Sequence, residues 1–252
     1  MSLIEVTHVG RVAVITLDDP GRRNTLSLEL CTELSAAVDE LEHDDGTGAL
    51  VVTGRAPAFC AGADLSQLGA SRRDGLLAIY SGFLAVAGTP LPTVAAVNGA
   101  AVGAGMNLAL ACDVRVVGDS GRFDTRFLDL GIHPGGGHTW MLRRLVGPQT
   151  AAALVLFGQV LGAAEAVRVG LAWEQVPDDE LLTRAVEVAA RAADAPPELT
   201  RRVKATLADV ASIDEHAQAV ERELVDQLWS MDQPEFAAKL AALSEKITRS
   251  TP

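Results

Sequence analysis

Residues Val94 to Asp113 read VAAVNGAAVGAGMNLALACD, and this stretch decides the fold. Its opening, Val94 to Val97, is a short apolar run of the kind a buried strand needs. Glycines follow at Gly99, Gly103 and Gly105, and the remainder reads as a buried helix. A strand that turns through glycine into a helix leaves backbone N–H groups unpaired at the helix N-terminus. Those donors and the helix dipole both favour negative charge at that point. The same pattern suits a tight strand-to-helix connection whose glycines serve only close packing, so this stretch alone leaves both readings open.

A second segment narrows the choice. Phe59 to Leu65 reads FCAGADL, follows the strand-like run Ala49 to Thr53, and leads through small residues toward an expected helix start. Two such turns facing one another place two N–H donors on a single oxygen, the arrangement called an oxyanion hole. These two segments, with RRNTLS (Arg22 to Ser27) upstream and LGIHPGGG (Leu130 to Gly137) downstream, resemble the enoyl-CoA hydratase/isomerase, or crotonase, superfamily. The resemblance covers nearly the whole chain, and four motifs in order are far more specific than any one of them.

The resemblance implies an α/β fold, a crotonase-like spiral of repeated strand-strand-helix units with a C-terminal helical extension. It implies an acyl-CoA thioester as ligand, with coenzyme A belonging to the substrate and no permanently bound cofactor or metal. The backbone N–H groups of Ala63 and Ala104 would hold the thioester oxygen and stabilise an enolate more than the ground state. Arg22, Arg23, Ala61, Asp64 and Leu65 fall where the family meets coenzyme A, and Lys246 is a candidate for a distant phosphate contact. Ordinary solvated charge is the competing reading of the arginines and the lysine.

Hydratases of this family use two glutamates to hold a water and deliver a proton. By the resemblance, Asn107 and Phe127 occupy those two positions here. An amide cannot abstract a proton near neutrality and a phenyl ring has no proton to give. The remaining candidates for acid–base work are His133, in the loop GIHPGGG, and Asp129; Asp124 and Arg126 are ambiguous, and His138 is expected to cap or pack near the next helix. Ser66, Ser71 and Ser81 sit in no motif for an activated nucleophile. Two functions follow: a crotonase-type lyase or isomerase, or an acyl-CoA-binding or carrier protein with little catalysis.

Composition bounds the rest. The 252 residues are 48% hydrophobic but only 4% aromatic, so the core must be built mainly from Ala, Val and Leu. A formal charge of −12 argues against a general nucleic-acid or anionic-membrane binder, though local arginines can still hold a small anion. The three cysteines, Cys31, Cys60 and Cys112, have no metal-ligand spacing and are expected as buried thiols. With no signal-like or spanning segment in the sequence, a cytoplasmic protein is expected.

Along the chain, Leu3 to Thr7 and Val12 to Leu17 alternate as a hairpin. Ser27 caps a helix with Leu30, Leu34, Val38 and Leu41 inward. A helix with Leu76, Leu77, Tyr80, Phe83 and Leu84 on its apolar side precedes a strand at Thr93 to Val97, and Val114 to Val117 is another strand. Beyond Thr139 the pattern is helical, with stops at Gly147, Gly158 and Pro196-Pro197 and further helices near Asp214 to Trp229 and Pro234 to Ile247. Residues 1–195 are expected as the α/β core with its following helices, and 196–252 as the helical extension. In the resembled family that extension covers the site and makes a homotrimer or hexamer.

Overall fold

The alternating N-terminal residues close as a hairpin, β1 (Ile4–Val9) antiparallel to β2 (Val12–Leu17), in a computed structural model that describes residues 2–67 and 71–249, with side chains through residue 243. Gly10 makes the turn at φ 58°, where a Cβ is unfavourable. Next comes α1 (Leu28–Glu42), whose first turn is closed by the Ser27 hydroxyl accepting from the Leu30 N–H at 3.1 Å. Leu30, Leu34, Val38 and Leu41 lie at helical spacing on its inner face, and all are buried.

From there the chain repeats a unit of two strands and a helix. The units are β3 (Ala49–Gly54), β4 (Ala58–Cys60) and α2 (Arg72–Gly88); then β5 (Thr93–Val97), β6 (Ala100–Val102) and α3 (Ala104–Ala111). β7 (Val114–Gly118), β8 (Arg122–Asp124) and α4 (His138–Phe157) follow, with Gly147 at φ 75° and ψ 171° dividing α4 as its sequence suggests. After them come β9 (Leu161–Gly162), α5 (Ala163–Arg168), β10 (Glu174–Val176) and α6 (Leu181–Ala193). The last helices are α7 (Pro197–Val210), α8 (His216–Met231) and α9 (Pro234–Arg249).

Each repeat gives one strand to each of two sheets. The larger runs β1-β2-β3-β5-β7-β10 and is parallel beyond the opening hairpin; the smaller runs β4-β6-β8-β9. Every residue of β3 and β5 is buried, as parallel strands covered on both faces must be. Alternate residues divide between two cores: Val12, Val14, Val51 and Ala96 pack with Leu181, Ala185 and Ala189 of α6, while Ile15, Leu50, Val52 and Val97 pack with the residues buried by α1, α2 and α3. Each fully buried Val, Leu or Ile adds about 1.5–3 kcal/mol.

Three sequence expectations need correction. On α2 the buried residues are Ile79, Gly82, Phe83 and Val86, whereas Leu77 and Leu84 are exposed; the apolar spacing there fits two faces, and packing against α1 selects the other. FCAGADL leads not into a helix but into a single 3-10 turn, Leu65–Gln67. The helix α7, opened by Pro197, was not separated from its neighbours by the apolar pattern.

The chain divides into two compact units between Ala193 and Asp194. In the second, α7 and α8 have no buried residue, and Arg202 and Arg222 both bond Asp226, at 2.8 and 2.6 Å. The three cysteines are buried, and burial pushes the Cys31 and Cys60 thiols up to about 11 and about 12, which leaves those two protonated and unreactive. Among the described residues no helix is long and apolar enough to cross a membrane.

One buried cation braces α3. The Arg115 guanidinium donates to the carbonyls of Leu171 at 2.6 Å, Cys112 at 2.7 Å and Ala109 at 3.3 Å, ending the helix on a positive charge. Replacing it by a similarly shaped apolar side chain, Arg115→Met, strands those carbonyls and is expected to cost roughly 2–4 kcal/mol in urea unfolding. An unchanged midpoint would contradict this role.

Candidate functional site

The site is built where β4 and β6 end side by side. These short strands run parallel, Ala58 opposite Ala100 and Cys60 opposite Ala101, so the turns that follow must touch. Glycine permits the contact: a Cβ on Gly105 would lie 2.2 Å from the Cys60 carbonyl oxygen, and one on Gly62, at φ 110°, 3.0 Å from that of Val102.

The first turn is held from the other side by the strand of RRNTLS. The Leu26 N–H donates to Gly62 O at 2.8 Å and the Asp64 N–H to Leu26 O at 3.0 Å. Successive N–H groups of an extended chain point to opposite sides, so that of Ala63, between them, faces away from Leu26. Asn24, fully buried at φ 56°, fastens the same segment by donating to the carbonyls of Arg55 and Ala58, both at 2.8 Å. Ala104 is the first residue of α3, where an N–H has no partner inside the helix. Among the described residues neither the Ala63 nor the Ala104 N–H donates to another group of the chain.

Both alanines line a cavity of about 820 Å³. Of the other residues singled out in the sequence, Arg23, Ala61, Leu65, Asn107, Phe127 and His133 also line it. Arg22, Asp64 and Asp129 do not. Arg22 instead bonds Asp19 at 2.7 Å and lies 3.8 Å from Asp64, and Asp129 is exposed. The Lys246 side chain lies outside the described residues. Among the described residues no aspartate or glutamate lines the cavity, but Arg72, Arg122 and Arg126 join Arg23 there. Arg126 is paired with Asp124, whereas Arg23, Arg72 and Arg122 make no salt bridge among the described residues. Nothing in the apolar periodicity marks Arg72 or Arg122; they meet only because the ends of separate elements converge.

Asn107 and Phe127 are joined through a residue whose part the sequence did not reveal. The Asn107 amide donates to Gly135 O at 3.0 Å, so its Oδ1 is the atom 2.7 Å from His138 Nδ1, and that ring nitrogen carries the proton. His138 is buried, its Nε2 has no hydrogen-bond partner among the described residues, and its ring meets Phe127 edge-on at 4.9 Å between centroids. The Phe127 ring also lies beside Gly103, next to the start of α3. The two positions therefore present an amide already bonded at both ends and an apolar edge. His133 is exposed and lines the cavity, with Nδ1 2.7 Å from Pro134 O, a bond that puts a proton on Nδ1.

The chain is similar to known proteins along nearly its whole length. The enoyl-CoA hydratase/isomerase family model matches residues 7–247. A probable enoyl-CoA hydratase, EchA14, of Mycobacterium tuberculosis is 52% identical over 244 residues, covering 93% of this chain and 94% of that protein. The 4-chlorobenzoyl coenzyme A dehalogenase-2 of an Arthrobacter species is 32% identical over 256 residues, covering 98% and 92%. Among solved structures, the enoyl-CoA hydratase of Bacillus anthracis superposes with a TM-score of 0.91 at 30% identity, covering 97% of this chain and 96% of that one.

Burial lowers the His138 imidazole from 6.5 to about 4. The unfolded chain therefore takes up a proton on this residue near pH 6.5, and the folded chain only near pH 4. Stability should rise with pH across that window by on the order of 3 kcal/mol from this group, and level off above it. In urea unfolding between pH 4.5 and 7, His138→Gln should lose that part of the slope. Equal slopes in the two proteins would show that His138 is not held neutral by burial.

Proposed function

The chain belongs to the enoyl-CoA hydratase/isomerase family, and we propose that it binds an acyl-CoA thioester with the carbonyl oxygen between the N–H groups of Ala63 and Ala104. The observation that carries this reading is that both alanines line one cavity and that, among the described residues, neither N–H is used within the chain. Charge pushed onto the thioester oxygen would meet two fixed dipoles that need no rearrangement, which favours an enolate over the ground state. Four arginines around the same cavity, in a chain of net charge −12, suit the phosphates of coenzyme A.

Ordinary hydration is not the chemistry that the lining supports. A water poised for addition across a double bond needs carboxylates within hydrogen-bond reach, and loss of one such group costs about 10²–10⁴ in rate. Asn107 and Phe127 supply none, and His133 Nε2 is left as the group suited to accept a proton. The carboxylate-free lining equally favours a second reading, acyl-CoA binding without efficient turnover.

We also propose a homotrimer or hexamer in the cytoplasm. Exposed Leu207, Leu224, Val225 and Leu228, on helices with no buried residue, support an assembly that covers them, and buried cysteines without metal-ligand spacing suit a reducing compartment.

The test follows a short and a long 2-enoyl-CoA by the absorbance of the conjugated thioester, with binding measured separately by calorimetry. Binding with slow or no loss of absorbance is expected; rapid hydration would overturn the assignment of Asn107 and Phe127, and absence of binding would overturn the whole reading. Asn107→Glu alone is expected to raise hydration less than about tenfold, because Phe127 still leaves the water without a second partner. The new carboxylate would also confront the Gly135 carbonyl that the amide now bonds. A gain of several orders of magnitude would contradict the two-carboxylate argument.

A further inference from the structure

Tyr80 is a cavity-lining residue that neither the apolar spacing nor the family motifs single out for function. It is half-buried on α2, three residues before Phe83, and the two rings are 5.5 Å apart. Both press on the glycine-rich turn before α4. A Cβ on Gly135 would lie 2.3 Å from the Tyr80 hydroxyl, and one on Gly136 would lie 2.5 Å from Phe83 Cζ. Gly135 is in turn bonded through its carbonyl to the Asn107 amide, one helical turn beyond Ala104 on α3. The tyrosine ring is thus fixed by its neighbours, with its hydroxyl close to the residue that Asn107 holds.

Several polar groups of the same lining are already engaged. Ser66 donates to Asp64, Arg126 to Asp124, and Asn107 is bonded to both His138 and Gly135. The Tyr80 hydroxyl makes no hydrogen bond among the described residues. A donor in that state favours a ligand that brings an acceptor and disfavours one that covers it with hydrocarbon.

We propose that Tyr80 determines acyl specificity: its hydroxyl donates to a carbonyl oxygen carried on the acyl chain, so the cavity prefers a 3-oxoacyl-CoA to the matching saturated acyl-CoA. The inference rests on the proposed placement of the thioester between Ala63 and Ala104, in the cavity that Tyr80, Asn107 and Gly135 also line. A 3-oxo group has the required chemistry. It is an acceptor that needs no partner for a proton of its own.

Calorimetric titration of acetoacetyl-CoA and butyryl-CoA, equal in chain length, tests the preference. Wild-type protein is expected to bind acetoacetyl-CoA about tenfold more tightly, the effect of one hydrogen bond that would otherwise go unmade. In Tyr80→Phe, which keeps the ring and removes only the oxygen, the ratio should fall to near one while the melting temperature shows a folded protein. A ratio near one in the wild type, or a preference that survives in Tyr80→Phe, overturns the assignment of Tyr80. Failure of both ligands to bind the wild type overturns the acyl-CoA reading itself, and this inference with it.

Discussion

Everything at the site depends on the close contact between two main-chain turns, those that follow β4 and β6. Parallel pairing of the two strands fixes their ends side by side, and Gly105 lets the second turn come within 2.2 Å, measured from an imagined Cβ, of the Cys60 carbonyl oxygen. Any side chain at that position would force the turns apart. Because the donors are backbone groups, their aim is set by strand register rather than by rotamers, and a rigid arrangement of this kind needs no reorganisation when charge develops.

The rest of the core serves to keep that register. Asn24 and Leu26 hold the Ala61–Asp64 segment from one side, and α3, carrying Ala104, is anchored at its far end by the buried Arg115. The helix therefore has a cation on its C-terminal carbonyls and an N-terminus at the cavity, which keeps the dipole directed at the cavity. Where a carboxylate pair would complete a hydratase, Asn107 is tied to Gly135 and to a neutral His138, and Phe127 closes the gap. On the proposed reading the two amides polarise a carbonyl, while Asn107 and Phe127 are engaged in packing and internal hydrogen bonds rather than in holding a nucleophilic water.

Much of this was legible in the residues. The glycines of VAAVNGAAVGAGMNLALACD announced a strand turning into a helix, and Ser27, Gly147 and Gly158 marked helix ends, because capping and positive φ are local requirements with local signatures. The three-residue strands β4, β6 and β8 were not separable by pattern, since a strand of that length has no period to read. The apolar face of α2 was misjudged at Leu77 and Leu84, where packing decides between two faces of similar spacing. Arg72, Arg122 and Tyr80 come to the cavity from separate elements, and His138 meets Asn107 across 31 positions; such meetings exist only after folding.

The proposed chemistry depends on the two amides acting on a thioester oxygen. Isotope-edited infrared difference spectroscopy of an acyl-CoA labelled with ¹³C at its thioester carbonyl reads that interaction directly. Two strong hydrogen bonds should draw electron density onto the oxygen and move the bound carbonyl stretch to lower wavenumber than in the free ligand. A bound carbonyl that absorbs where the free one does would mean that the Ala63 and Ala104 N–H groups are not its partners.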